Sequence, residues 1–211
     1  MKTLLTGFGA FPGVPINPTD LLISGWRLHP ERRPSHECEC HTLPTEYAAS
    51  EQAICQLLTR QDPRLLIMTG VKECAPSISL ERFALNIDDC VIADATGEVR
   101  EAREIRLGGP GALTTTVDLG GLRNVMVARE YNIEISNHAG TYVCNHAYYT
   151  ALDLVQSQRR DTDVVFVHFP MHPLLARRDI FENGSLQYFE VALREIWQYL
   201  KRRRHKDRNA V

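Results

Sequence analysis

Among the six cysteines and eight histidines of this 211-residue chain, one of each stands where nucleophilic chemistry can be built. Cys144 closes the run Gly140-Thr141-Tyr142-Val143 and opens Asn145-His146-Ala147-Tyr148-Tyr149, which reads as the start of a helix. A thiol at a helix N-terminus lies near roughly half a positive charge of backbone dipole. That setting favours the thiolate, which is the nucleophile. Elsewhere cysteine is usually a small buried hydrophobe. A hydrolase thiol also needs a base to take its proton and a third group to hold that base in one tautomer.

His168 ends the apolar run Val164-Val165-Phe166-Val167, so it projects from the edge of a sheet where sites collect. Taken alone, a strand-end histidine is more often structural. Its rivals are His138 and His172, both in loops. His146 follows Cys144 by two residues on the same helix and so points away from the thiol. His29, His36 and His205 lie in charged, surface-like stretches. The acid is open at this point: Glu81, Asp88 and Asp89 are equally anonymous carboxylates.

Elements must bring these groups together. Residues 3–6 read as a short strand running into a Gly/Pro-rich loop from Gly7 to Pro18, with Asp20 just before a helix over 21–28. Further strands are predicted at 38–43, 65–68, 83–87, 133–136 and 164–167, and a hairpin of 90–92 with 99–105 turns around Thr96-Gly97. Helical patterns fall at 47–60, from about 118 or 122 to 130, from Cys144 to about 156 and at 186–201. Strands alternating with helices, several of them apolar throughout, predict an α/β fold. Its form is a three-layer α/β/α sandwich around a mostly parallel twisted sheet, in a single domain over 1–211 with a basic tail frayed from about 201.

Other chemistries fit less well. His36-Glu37-Cys38-Glu39-Cys40-His41 suggests a metal, but alternation puts both cysteines on one strand face, and no second ligand pair of zinc spacing follows. Gly7-Phe8-Gly9 begins like a dinucleotide fingerprint, yet Pro12, Pro15 and Pro18 obstruct the helix start it needs. A net charge of -2 gives no reason to invoke nucleic acid or an acidic membrane. The run Lys201-Arg202-Arg203-Arg204 lacks the aromatic interleaving of a nucleic-acid surface. The first residues are too polar for a signal peptide and no apolar run approaches membrane-spanning length. Free thiols, no metal, no cofactor and a cytoplasmic location are the expectation.

Four segments carry a family resemblance. Thr6-Gly7-Phe8-Gly9-Ala10-Phe11-Pro12-Gly13 with Asn17-Pro18 resembles the N-terminal signature of pyroglutamyl peptidase I. Ile78-Ser79-Leu80-Glu81-Arg82-Phe83-Ala84-Leu85-Asn86 resembles its glutamate motif, Ala139-Gly140-Thr141-Tyr142-Val143-Cys144-Asn145-His146 its cysteine motif, and Val167-His168-Phe169-Pro170 its histidine motif. The resemblance implies a cysteine exopeptidase that removes N-terminal pyroglutamate from a peptide or small amide, with Cys144 as nucleophile, His168 as base and Glu81 orienting it. It also implies a lactam pocket involving Phe8, Phe11, Val71, Tyr142 and Val143, with Tyr142 where the family usually has phenylalanine, and a homo-oligomer, commonly a tetramer. A small neutral ring has little charge to read, so an aromatic slot with backbone hydrogen bonds suits it.

Three positions depart from the family pattern. Ala75 and Val91 stand where arginines are expected, and Val71 stands where a glutamine is common. Lys72 is a neighbouring cation that the sequence does not place. These departures leave two alternatives: a cysteine amidase for another small cyclic or N-blocked amide, and a non-catalytic small-molecule binding homologue.

Overall fold

Strand β1 (Thr3–Phe8) is buried at all six positions, as a strand covered by helices on both faces must be. The computed structural model describes residues 1–73, 75–171 and 185–209. β1 pairs in parallel with β2 (Cys38–Leu43) and with β3 (Leu65–Glu73). β3 pairs in parallel with β9 (Asp163–Met171), in a register that sets Gly70 beside His168. The direction then reverses: β4 (Ile78–Leu85) runs antiparallel to β9, and it also pairs with β7 (Ala112–Thr114) and β8 (Ile133–His138). A separate hairpin of β5 (Asp88–Cys90) and β6 (Arg100–Arg103) stands off this seven-stranded sheet.

Alternating side chains divide between two cores. Leu5, Ile67, Leu80, Val165 and Val167 pack against α1 (Pro18–Leu28), α3 (Leu119–Val127) and α5 (Ser185–Asn209). Leu4, Leu66, Met68 and Phe166 face α2 (Tyr47–Gln61) and α4 (Val143–Ser157). The fold is a three-layer α/β/α sandwich with a mostly parallel sheet.

Three local expectations are corrected. The strand predicted at 83–87 is β4, which begins at Ile78, so Glu81 lies within the strand. Its small and polar side chains hide the pattern because they face the site. Pro18 does not obstruct α1; it occupies the first turn, where its missing N–H costs nothing. Asn17 caps that helix by accepting from Thr19 N at 3.0 Å. The last helix continues through Asn209 rather than ending at 201. Arg203 pairs with Asp118 at 2.8 Å, and Arg204 pairs with Asp161 and Asp163, which ties the start of the basic run to the sheet. Cys74 and His172 lie outside the described residues.

Candidate active site

Cys144 is the second residue of α4. The first N–H groups of a helix have no acceptor within it, so the backbone at Val143 and Cys144 offers donors where the sulfur sits. Asn145 fixes this helix head to the end of β4. Its buried side chain accepts from Leu85 N at 2.8 Å and donates to Leu85 O and Ile87 O at 2.9 and 3.1 Å. The motif contains Asn145, but nothing in the sequence signals that clamp.

His168 and Glu81 meet across the antiparallel pair. Ser79 lies opposite His168 and Glu81 opposite Phe166, so all four side chains leave the same face toward α4. His168 Nδ1 lies 2.8 Å from Glu81 Oε1. With the carboxylate ionised, Nδ1–H donates and Nε2 is left as the acceptor. Glu81 is fully buried, and the His168 ring rests on Phe166 at 4.6 Å between centroids. Gly70 completes the arrangement: a Cβ there would lie 3.0 Å from Cys144 Sγ and 3.1 Å from His168 Nε2. Sulfur and ring nitrogen therefore border one small space above a residue with no side chain.

The electrostatics correct one expectation. Burial, with a smaller push from the Glu81 carboxylate, raises the Cys144 thiol to about 12, the reverse of the thiolate expected from the helix dipole alone. A thiol in this state is activated by passing its proton to an adjacent base. Among the described histidines, His168 is the one whose ring borders Gly70 together with the Cys144 sulfur. His146 points away, its Nδ1 2.9 Å from Asp88 Oδ2 and its Nε2 3.3 Å from Glu51 Oε2. His138 is exposed on β8, where its Nδ1 accepts from Gly140 N at 3.1 Å. The rival carboxylates are also accounted for. Asp88 is buried against Arg100 and His146, and Asp89 accepts from Ala102 N at 3.2 Å.

The expected pocket residues are only partly gathered. Phe11 and Tyr142 lie 6.0 Å apart between ring centroids, and Tyr47 meets Tyr142 edge-on at 5.8 Å. The Tyr142 hydroxyl donates to Ala93 O at 2.9 Å, and the Thr141 hydroxyl donates to Asp89 O at 2.6 Å, so the β5–β6 hairpin clasps the approach to Cys144. Phe8 is not an exposed loop aromatic. It ends β1 inside the core and backs Phe166 at 6.3 Å, two rings behind the His168 face. Val143 is likewise buried, so its backbone, not its side chain, is what it can present. Val71 alternates to the face opposite Gly70, beside its register partner Phe169 in the other core. Val91 is 89% exposed. Lys72 Nζ stands 4.0 Å from Glu81 Oε1. Among the described residues, no group of three His, Cys, Asp or Glu side chains has metal-holding geometry, and no helix is long and apolar enough to cross a membrane.

An α/β sheet that gathers a helix-head cysteine, a histidine and a buried carboxylate has the make-up of a cysteine hydrolase. The model of the pyroglutamyl peptidase family matches residues 1–194, and the chain belongs to that family. It is 35% identical over 181 residues to a pyrrolidone-carboxylate peptidase of Cupriavidus necator, covering 84% of this chain and 82% of that one. It is 32% identical over 172 residues to one from Fusobacterium nucleatum, covering 82% and 79%. A solved variant of the Pyrococcus furiosus pyrrolidone carboxyl peptidase superposes with a TM-score of 0.83 at 25% identity, covering 94% of this chain and 97% of that one. The chain is thus a cysteine hydrolase of the family that acts on N-terminal pyroglutamyl residues.

Proposed function

We propose that Cys144, His168 and Glu81 hydrolyse the amide bond that follows an N-terminal pyroglutamyl residue. The observation that carries this reading is the 2.8 Å Glu81–His168 contact beside the space shared by Cys144 Sγ and His168 Nε2 over Gly70. The thiol proton passes to Nε2 as sulfur attacks the pyroglutamyl carbonyl carbon. The Cys144 backbone N–H, at the helix head, stabilises the resulting oxyanion. His168 then gives its proton to the departing amine, leaving a thioester on Cys144. A water molecule, deprotonated by His168, attacks the thioester and releases pyroglutamate and the free thiol. Glu81 holds the ring in the tautomer that keeps Nε2 available.

Phe11 and Tyr142 flank the lactam ring in this reading, Phe8 supports the His168 side through Phe166, and Val71 and Val143 contribute through their backbones. Turnover of pyroglutamyl, prolyl and unblocked glutamyl amides tests the assignment: hydrolysis confined to the pyroglutamyl amide supports it. Exposed Val91 offers no charged donor at its position, which favours one second reading, an amidase for another small cyclic or N-blocked amide. Full reactivity of the Cys144 thiol with no pyroglutamyl turnover would favour that reading.

A further inference from the structure

Glu81 is fully buried, and among the described residues only one of its carboxylate oxygens has a hydrogen-bond partner: Oε1 meets His168, whereas Oε2 has none. Lys72 lies two residues beyond Gly70 on β3, so its side chain leaves the same face. The strand order β3, β9, β4 makes that side chain span the end of β9. It brings Nζ to 4.0 Å from Glu81 Oε1 and 3.5 Å from the hydroxyl of Ser136, which is Glu81's register partner on β8. Among the described residues, Lys72 is the one cation besides His168 that the structure pairs with Glu81. Among the described residues, Cys144 and Tyr148 of α4 also face Glu81, the Tyr148 hydroxyl donating to Glu81 O at 3.1 Å. His138 stands at the exposed end of β8.

We infer that Lys72 is a positioning residue, an ammonium that balances the charge of the Cys144–His168–Glu81 group. The inference rests on the roles proposed above. Thiolate, imidazolium and carboxylate together carry one net negative charge, and so do imidazolium, carboxylate and the later oxyanion. An unbalanced charge in a site shielded from water is unfavourable, and Lys72 brings the sum to zero. A nearby cation makes the thiol and the imidazolium both give up protons more readily. Its removal therefore moves both ionisations to higher pH. The Lys72 side chain is 42% exposed, so solvent and salt temper the effect.

Alkylation of Cys144 by iodoacetamide, followed at that residue by mass spectrometry from about pH 7 up to about pH 12, where its buried thiol ionises, tests the inference without needing a substrate. Lys72→Met and Lys72→Gln should shift the rising limb upward by about half a pH unit, Lys72→Arg should restore it, and about 1 M salt should shrink the difference. In pyroglutamyl hydrolysis both limbs of kcat/KM should move up together with KM little changed. Limbs that stay in place in both neutral variants, whether or not the rate falls, would overturn the inference. A chain that alkylates as described but does not turn over pyroglutamyl amides fails the substrate assignment and leaves the Lys72 inference supported.

Discussion

Gly70 and His168 are register partners on adjacent parallel strands, and a Cβ on Gly70 would sit 3.1 Å from His168 Nε2 and 3.0 Å from Cys144 Sγ. Either the ring or the sulfur has to move to admit a single methyl group. Gly70→Ala is expected to lower kcat about 100-fold, the scale of a small misplacement of reacting groups, while the melting temperature changes little. Steady-state kinetics with thermal unfolding checks this. An unchanged kcat would mean that the two side chains do not share that space.

Glu81→Gln removes the acceptor that fixes His168 Nδ1–H and can present an amide donor there instead. The ring then loses the tautomer that leaves Nε2 available. A fall in kcat of roughly 10²- to 10⁴-fold is expected, with circular dichroism unchanged. Full activity in this variant would show that Glu81 does not orient the base.

The cysteine and the histidine were legible because each stands at an abrupt change of pattern. Cys144 closes an apolar run at the head of a helical pattern, and His168 follows the unbroken apolar run 164–167. Glu81 was not legible from physics alone, because β4 faces the site with Ser79 and Glu81 where a core strand would show apolar residues. The family resemblance, not the local pattern, singled it out. The sheet layers were readable from alternation, but contacts between distant charges were not. Arg203 and Arg204 looked like a solvated tail because Asp118, Asp161 and Asp163 lie far away in sequence. The same holds for Gly70, whose requirement comes from what stands above it.

Asp88 is fully buried between Arg100 Nη1 at 2.8 Å and His146 Nδ1 at 2.9 Å, and Arg100 stacks over Tyr47 at 4.2 Å. These contacts join the β5–β6 hairpin to α2 and α4 behind Tyr142. Breaking a buried pair leaves a charge without its partner, so Arg100→Met should destabilise the protein by about 3 kcal/mol in urea unfolding. A loss below about 1 kcal/mol would place the pair among solvated ones.

Burial raises the thiols of Cys38 to about 11 and of Cys40 and Cys144 to about 12 from an ordinary 9.0, and raises that of Cys55 as well. Above that ordinary value the unfolded chain loses thiol protons that the folded chain keeps. The stability from these groups is therefore complete below about pH 9 and is lost as pH rises toward about 12. The urea midpoint should fall from about pH 8 to about pH 11, and Cys40→Ala should make that fall shallower. A midpoint that stays level over this range would contradict the burial argument.

Hydrolysis of a fluorogenic pyroglutamyl amide by the wild-type chain and by Cys144→Ser is the most direct measurement. The native protein should release the fluorophore, and the variant should lose at least about 10³-fold in kcat/KM, the scale for removing an activated nucleophile. No release by the native chain, or release that survives in Cys144→Ser, would contradict the proposal that Cys144 is the nucleophile of a pyroglutamyl peptidase.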